Sequence, residues 1–168
     1  PTERCGWRLV EGQARSGRFC AEYTSVKGCN APMLCPYPVA VTPGRDYTVS
    51  FYAKTDTPGA QIRIRAQGAI WGVFPCSQRV QLGKDWQRYV FTFKAPSPFV
   101  LFAFGDGTSE TGRRELAKVL LDDVQFEKGA MTNDFVQKPF FARFETVAPG
   151  GVYFTGEAAP VKLIVSNV

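Results

Sequence analysis

Histidine is absent from all 168 residues. That removes a Ser-His-Asp or Cys-His nucleophile system, a His-ligated zinc or haem site and any imidazole pH switch. No CxxC pair occurs either, so zinc-finger spacing is missing too. Long apolar runs are lacking: Phe99 to Phe104 is among the longest, far below the roughly 18 residues of a membrane helix. Charge is sparse at 21%, and no low-complexity tract interrupts the chain, which argues against disorder. A 45% hydrophobic content suffices for one core, and the length predicts one domain with a short appendage. The opening Pro1-Thr2-Glu3, with no initiator Met and no leader, reads as an excised module or a processed product.

The charges present are 20 Lys+Arg against 15 Asp+Glu, a net +5 that suits an anionic partner without choosing one. Five cysteines, at positions 5, 20, 29, 35 and 76, are many for a cytosolic chain; one or two disulfides would fit an exported protein, with at least one thiol left over.

The dominant periodicity is two. In Asp46 to Lys54, Tyr47, Val49, Phe51 and Ala53 alternate with polar residues, as in a strand with one buried face. Ile62, Ile64 and Ala66 alternate with Gln61, Arg63, Arg65 and Gln67, so a polar row projects from that strand. Arg88 to Phe93 sets Tyr89, Phe91 and Phe93 on one side, and Trp86, out of phase, predicts a strand start or bulge near Gln87. Val100, Phe102 and Phe104 continue the series. Val119, Leu121 and Asp123 follow, then Val124 and Phe126 after a slip of one. Arg18 to Thr24 and Tyr37 to Val41 are further candidates, and Glu110 to Lys118 is the one place for a helical turn. Breakers such as Thr42-Pro43-Gly44-Arg45 and Ala95-Pro96-Ser97-Pro98 separate the runs. The expectation is an all-β sandwich, a jelly roll of two antiparallel sheets. It spans residues 1–130, followed by a linker and additional strands, Val152 to Thr155 and Val161 to Val165, over 131–168.

Ala14-Arg15-Ser16-Gly17-Arg18, Tyr47 to Lys54, Trp86 to Phe93 and Leu121-Asp122-Asp123-Val124-Gln125-Phe126-Glu127, in that order and spacing, resemble the jelly-roll carbohydrate-binding modules of families 4, 9 and 22. The resemblance covers Gly6 to Gly129. Phe154-Thr155-Gly156-Glu157 before Pro160-Val161-Lys162-Leu163 is similar to the entry strand of the immunoglobulin-like domains that follow such modules in glycoside hydrolases. What this implies is a non-catalytic, secreted module that binds a polysaccharide across its concave sheet and tethers a covalently linked catalytic domain to it. The alternative is a spacer of the same fold without a sugar site. Neither nucleic acid nor membrane is an expected partner.

A sugar ring offers C–H patches and a fringe of hydroxyls, which call for aromatic faces and planar donors and acceptors. The candidate ligand residues are Gln61, Arg63, Arg65 and Gln67, with Trp71 and Phe74 in the loop beyond. Tyr37 is a neighbouring face, and Arg88 projects from a third strand. Two arginines in one row suit a uronate or sulfate. Trp7 and Trp86 are assigned to packing and Tyr52 to the surface. Asp123 points inward by alternation, where a carboxylate calls for a cation or several donors, so a calcium or a turn-stabilising hydrogen-bond role fits; the resemblance implies a structural calcium there. Asp122 and Asp123, as adjacent strand residues, face opposite sides and cannot flank one glycosidic bond. Asp106 and Glu110 are read as solvated.

Overall fold

The two-residue alternation translates into strands almost element for element. In a computed structural model, residues 6–25, 38–69, 74–105, 117–136, 140–146 and 160–167 are described. Contacts divide the chain into two units, Pro1–Phe135 and Val136–Val168.

In the first unit the strands are β1 (Gly6–Glu11), β2 (Phe19–Ser25), β3 (Val39–Ala40), β4 (Asp46–Lys54), β5 (Gln61–Gln67), β6 (Cys76–Gln81), β7 (Gln87–Lys94), β8 (Phe99–Gly105) and β9 (Ala117–Lys128). One antiparallel sheet runs β1-β2-β9-β4-β7 and the other β3-β8-β5-β6. The second unit is a two-stranded antiparallel sheet of β10 (Phe140–Thr146) and β11 (Val161–Asn167). There is no helix among the described residues, hence none long and apolar enough to cross a membrane. The all-β sandwich is what the alternation demands.

The core lies between the two sheets. Val49, Phe51 and Ala53 from β4, Ile62, Ile64 and Ala66 from β5, and Val100, Phe102 and Phe104 from β8 are buried at their alternate positions. Phe51 meets Phe104 edge-on at 5.2 Å between centroids, and Phe93 meets Phe102 at 5.9 Å, so aromatic contacts cross from sheet to sheet. Trp7 packs on Tyr23 at 5.1 Å, as expected of a packing residue, and Trp86 is half-buried beneath Lys54.

Several expectations are corrected. The slip in β9 is a bulge: Ser50 pairs with Gln125 but Tyr52 with Asp122, so Asp123 and Val124 together oppose Phe51. Asp123 takes a positive φ of 49° there. The extra residue turns Phe126 inward, onto Phe102 at 4.9 Å, but leaves Val124 exposed rather than buried. Ala117 and Lys118, expected at the end of a helical turn, open β9; the rest of that turn lies outside the described residues, as does Val152 to Thr155. Strands β1, β6 and β10 were not anticipated. Residues 131–135, assigned to the linker, fall in the first unit.

Candidate functional site

Strand β5 presents the polar row as its sequence dictates. Ile62, Ile64 and Ala66 are fully buried, while Gln61, Arg63, Arg65 and Gln67 are half-buried on the outer face of the four-stranded sheet. The register shows what flanks the row. On one side β8 sets Gly105 against Arg63, Ala103 against Arg65 and Leu101 against Gln67. On the other, β6 sets Ser77 against Arg65, Arg79 against Arg63 and Gln81 against Gln61. The face is therefore a line of planar polar side chains between a strip of small and apolar residues and a second polar line. Phe99, 37% exposed, extends the apolar strip.

On the β8 side the ladder partners of the arginines are small, Gly105 and Ala103. Arg65 lies over the Phe74 ring at 4.9 Å, and its Nε is buried without a hydrogen-bond partner among the described residues. The cation–π contact favours this placement of the guanidinium over the ring. The end of β5 is fixed as well: the Ala69 N–H donates to Ser97 Oγ at 3.0 Å, and that hydroxyl donates to the Phe99 carbonyl at 2.7 Å. This arrangement can accept and donate hydrogen bonds along an extended ligand while an apolar strip meets its C–H surface.

Of the other expected site residues, Tyr37 and Trp71 lie outside the described residues. Arg88 does not join the row. It sits on β7, in the five-stranded sheet, where its Nη2 donates to Ser50 Oγ at 3.1 Å, to Thr132 Oγ1 at 3.0 Å and to the Asn133 carbonyl, with Asp134 at 3.7 Å. Arg88 is thus a structural tie between the sheet and the segment after β9. Strands close in sequence need not share a sheet, and β7 pairs with β4 rather than joining β5. Arg79 and Ser77 were missed because Gln78 occupies an inward-phase position of β6 yet is exposed at the sheet edge, which erases the alternation of Cys76–Gln81.

Asp123 is buried, but its oxygens are engaged: Arg15 Nη1 donates to Oδ2 at 2.5 Å and the Ser16 hydroxyl to Oδ1. Asp122 Oδ2 accepts the Arg15 backbone N–H at 2.7 Å and that of Ser16 at 3.3 Å. The bulge turns both carboxylates onto the β1–β2 loop, so the expectation that they face opposite sides does not hold. A guanidinium stands where a calcium would, and no group of three or more Asp, Glu, Cys or His gathers among the described residues. Asp123 as built does not fit calcium. Asp106 and Glu110 lie outside the described residues.

No family model and no curated protein matches the sequence. Solved structures do match. A family 4 carbohydrate-binding module is similar with a TM-score of 0.55 and 25% identity, over 74% of this chain and 79% of that one. The fold is that of a jelly-roll carbohydrate-binding module. A family 61 module, solved in complex with β-1,4-galactotriose, gives 0.51 at 15% identity over 73% of this chain and 88% of that one. The N-terminal tandem of two family 22 modules from Paenibacillus barcinonensis gives 0.53 at 16% identity, over 95% of this chain and 55% of that one. At 15% and 16% identity, these two speak to the fold alone. Families 4 and 22 are among those the ordered segments of the sequence resemble.

Proposed function

We propose that this chain is a non-catalytic carbohydrate-binding module, and that its glycan lies along β5 on the outer face of the four-stranded sheet. The observation that carries the reading is the Gln61, Arg63, Arg65 and Gln67 row beside the Phe99, Leu101 and Ala103 strip, on a fold shared with carbohydrate-binding modules. Amide and guanidinium groups match ring hydroxyls in pairs, and the strip takes the C–H faces of successive sugars. No proton-transfer geometry is required: the row holds no carboxylate, and Asp122 and Asp123 are committed to the β1–β2 loop. The role that follows is anchoring. A module of this kind works outside the cell, covalently joined to a carbohydrate-active enzyme, and raises that enzyme's effective concentration at a polymer.

Calorimetric titration against xylan, β-glucan, mannan, β-1,4-galactan and uronate polymers tests the reading. Binding to one of them, weakened by about 1–3 kcal/mol in Arg63→Ala and in Gln67→Ala, is the expected result. Absence of binding to every polymer at millimolar sugar leaves a spacer domain, and binding unaffected by both substitutions moves the site to another face.

A further inference from the structure

The alternation that turns Val49 and Phe51 into the core turns Thr48 and Ser50 to the solvent side of β4, yet these two are only 1% exposed. What covers them is the chain that follows β9. Gly129 leaves that strand at a positive φ of 110°, donates its N–H to the Asp46 carbonyl at 2.7 Å and accepts at its own carbonyl from the Thr48 hydroxyl at 2.8 Å. The next carbonyl, of Ala130, accepts from Thr92 Oγ1 at 3.4 Å. Residues 129–134 therefore cross the outer face of the five-stranded sheet as a strap over β4 and β7.

The far end of the strap is held between two opposite charges. Glu127, on β9, accepts from the Thr132 hydroxyl at 2.5 Å and from the Asn133 N–H at 3.0 Å. Arg88, on β7, donates to Thr132 Oγ1 at 3.0 Å and to the Asn133 carbonyl, with the Asp134 carboxylate at 3.7 Å. The same guanidinium reaches Ser50 Oγ at 3.1 Å, so one side chain ties the strap to β4 as well as to β7. Gly129, Ala130, Thr132, Asn133 and Asp134 thus each hold a polar contact to the sheet, and the bonds at the far end carry charge on one partner, which strengthens them. A polar linker remains a flexible coil because nothing offsets the entropy of ordering it; contacts of this density do.

We infer that residues 129–134 are a latch that sets the length of the connector to the second unit, with Arg88 as its key. When the strap is down, five residues, 135–139, separate Asp134 from Phe140, the first residue of β10. When it is released the connector starts at Gly129 and counts eleven, 129–139. The span of a flexible chain grows as the square root of its length, so release extends the connector about 1.5-fold. The effective concentration of one end at the other then falls about threefold, by the three-halves power of length. Strap and Arg88 lie on the sheet opposite the Gln61 to Gln67 row, so the inference stands apart from the carbohydrate-binding reading.

The test is amide nitrogen relaxation by NMR on the full chain, with limited proteolysis by proteinase K beside it. In the parent, the heteronuclear NOE values of Gly129 to Asp134 are expected to match those of β4 and β7. In Arg88→Ala they fall well below the β4 values, cleavage within 129–134 becomes about tenfold or more faster, and the amides of β10 and β11 report a shorter correlation time. The double variant Thr132→Gly/Asn133→Gly, which leaves every strand side chain in place, gives the same three changes and stands in for Arg88→Ala should that one fail to fold. Lys94→Gln, on the same strand in an exposed pair with Asp46, removes the same charge and leaves the strap as in the parent. Thermal unfolding verifies that each variant is folded. Low NOE values across the strap of the parent, or unchanged values in both strap variants, overturn the latch. A freed strap with an unchanged correlation time for β10 and β11 overturns its control of the connector.

Discussion

Arg15 and Asp123 lock the β1–β2 loop to the bulge of β9. The guanidinium is 2.5 Å from Oδ2, and the same group lies 3.6 Å from the centre of the Tyr52 ring. Asp123 raises the already high pKa of Arg15, chiefly through this hydrogen bond, so the guanidinium stays charged. Replacing Asp123 with Ala leaves the guanidinium without its anion and puts a Cβ-bearing residue without a helpful side chain at positive φ. A loss of about 2–4 kcal/mol in urea unfolding is expected. Because Arg15 supplies the cation, calcium or a chelator should shift the parent and Asp123→Asn alike; a calcium-dependent midpoint confined to the parent would show that Asp123 ligates metal.

Glu127 holds the segment after β9. Its Oε2 accepts from the Thr132 hydroxyl at 2.5 Å and from the Asn133 N–H at 3.0 Å, and Oε1 accepts from Asn133 Nδ2 at 2.8 Å. These bonds lower its pKa from an ordinary 4.5 to about 2. The sign follows: the contribution is complete above 4.5 and is lost as pH falls through about 2. Amide exchange at Asn133 should therefore stay protected at pH 4 and open toward pH 2, while Glu127→Gln removes that dependence. A Glu127 carboxyl titrating near 4.5 by NMR would contradict it.

Cys20 and Cys76 are buried free thiols. Burial pushes both up, Cys76 to about 11, so little thiolate forms near neutrality. Iodoacetamide at pH 8 is expected to spare both in the native protein and to label both in urea, as read by peptide mass spectrometry. Rapid native labelling of the Cys76 peptide would mean that the sandwich opens at β6.

Gly68 ends β5 where space is tight: a Cβ there would lie 2.7 Å from Pro96 Cγ and 2.8 Å from Ser97 Oγ. Gly68→Ala must displace the Ser97 hydroxyl that orders Ala69 and Phe99, with a cost of about 1–3 kcal/mol in thermal or urea unfolding. Because the displaced turn borders the polar row, glycan affinity should fall with it. A stable Gly68→Ala variant with full affinity would show that the turn yields freely.

Sequence periodicity reveals a strand when its two faces differ. Asp46–Lys54 and Gln61–Gln67 bury one side completely, and their bounds were legible to the residue. Edge strands blur the contrast: β1 exposes Leu9 at 75%, and β6 exposes Gln78 at an inward-phase position, so neither announces itself. The Gln61, Arg63, Arg65 and Gln67 half of the candidate site was legible because it lies on one continuous strand. Arg79 joins it by a ladder and Arg88 leaves it by sheet membership, and both are pairings between distant residues that local alternation does not encode. The partner of Asp123 was illegible for a related reason: a buried carboxylate calls for a cation or several donors, but Arg15 stands 108 positions away in the chain.

Val124 is best understood as an inserted letter. Deleting it would leave Leu121, Asp123 and Phe126 in a correct inward frame, opposite Ala53, Phe51 and Val49 of β4, with an unbroken ladder. The sandwich interior therefore has no use for the extra residue. What the insertion encodes is the turn of two neighbouring carboxylates onto one loop, so β9 is spelled one residue long for the sake of the β1–β2 loop that these carboxylates hold.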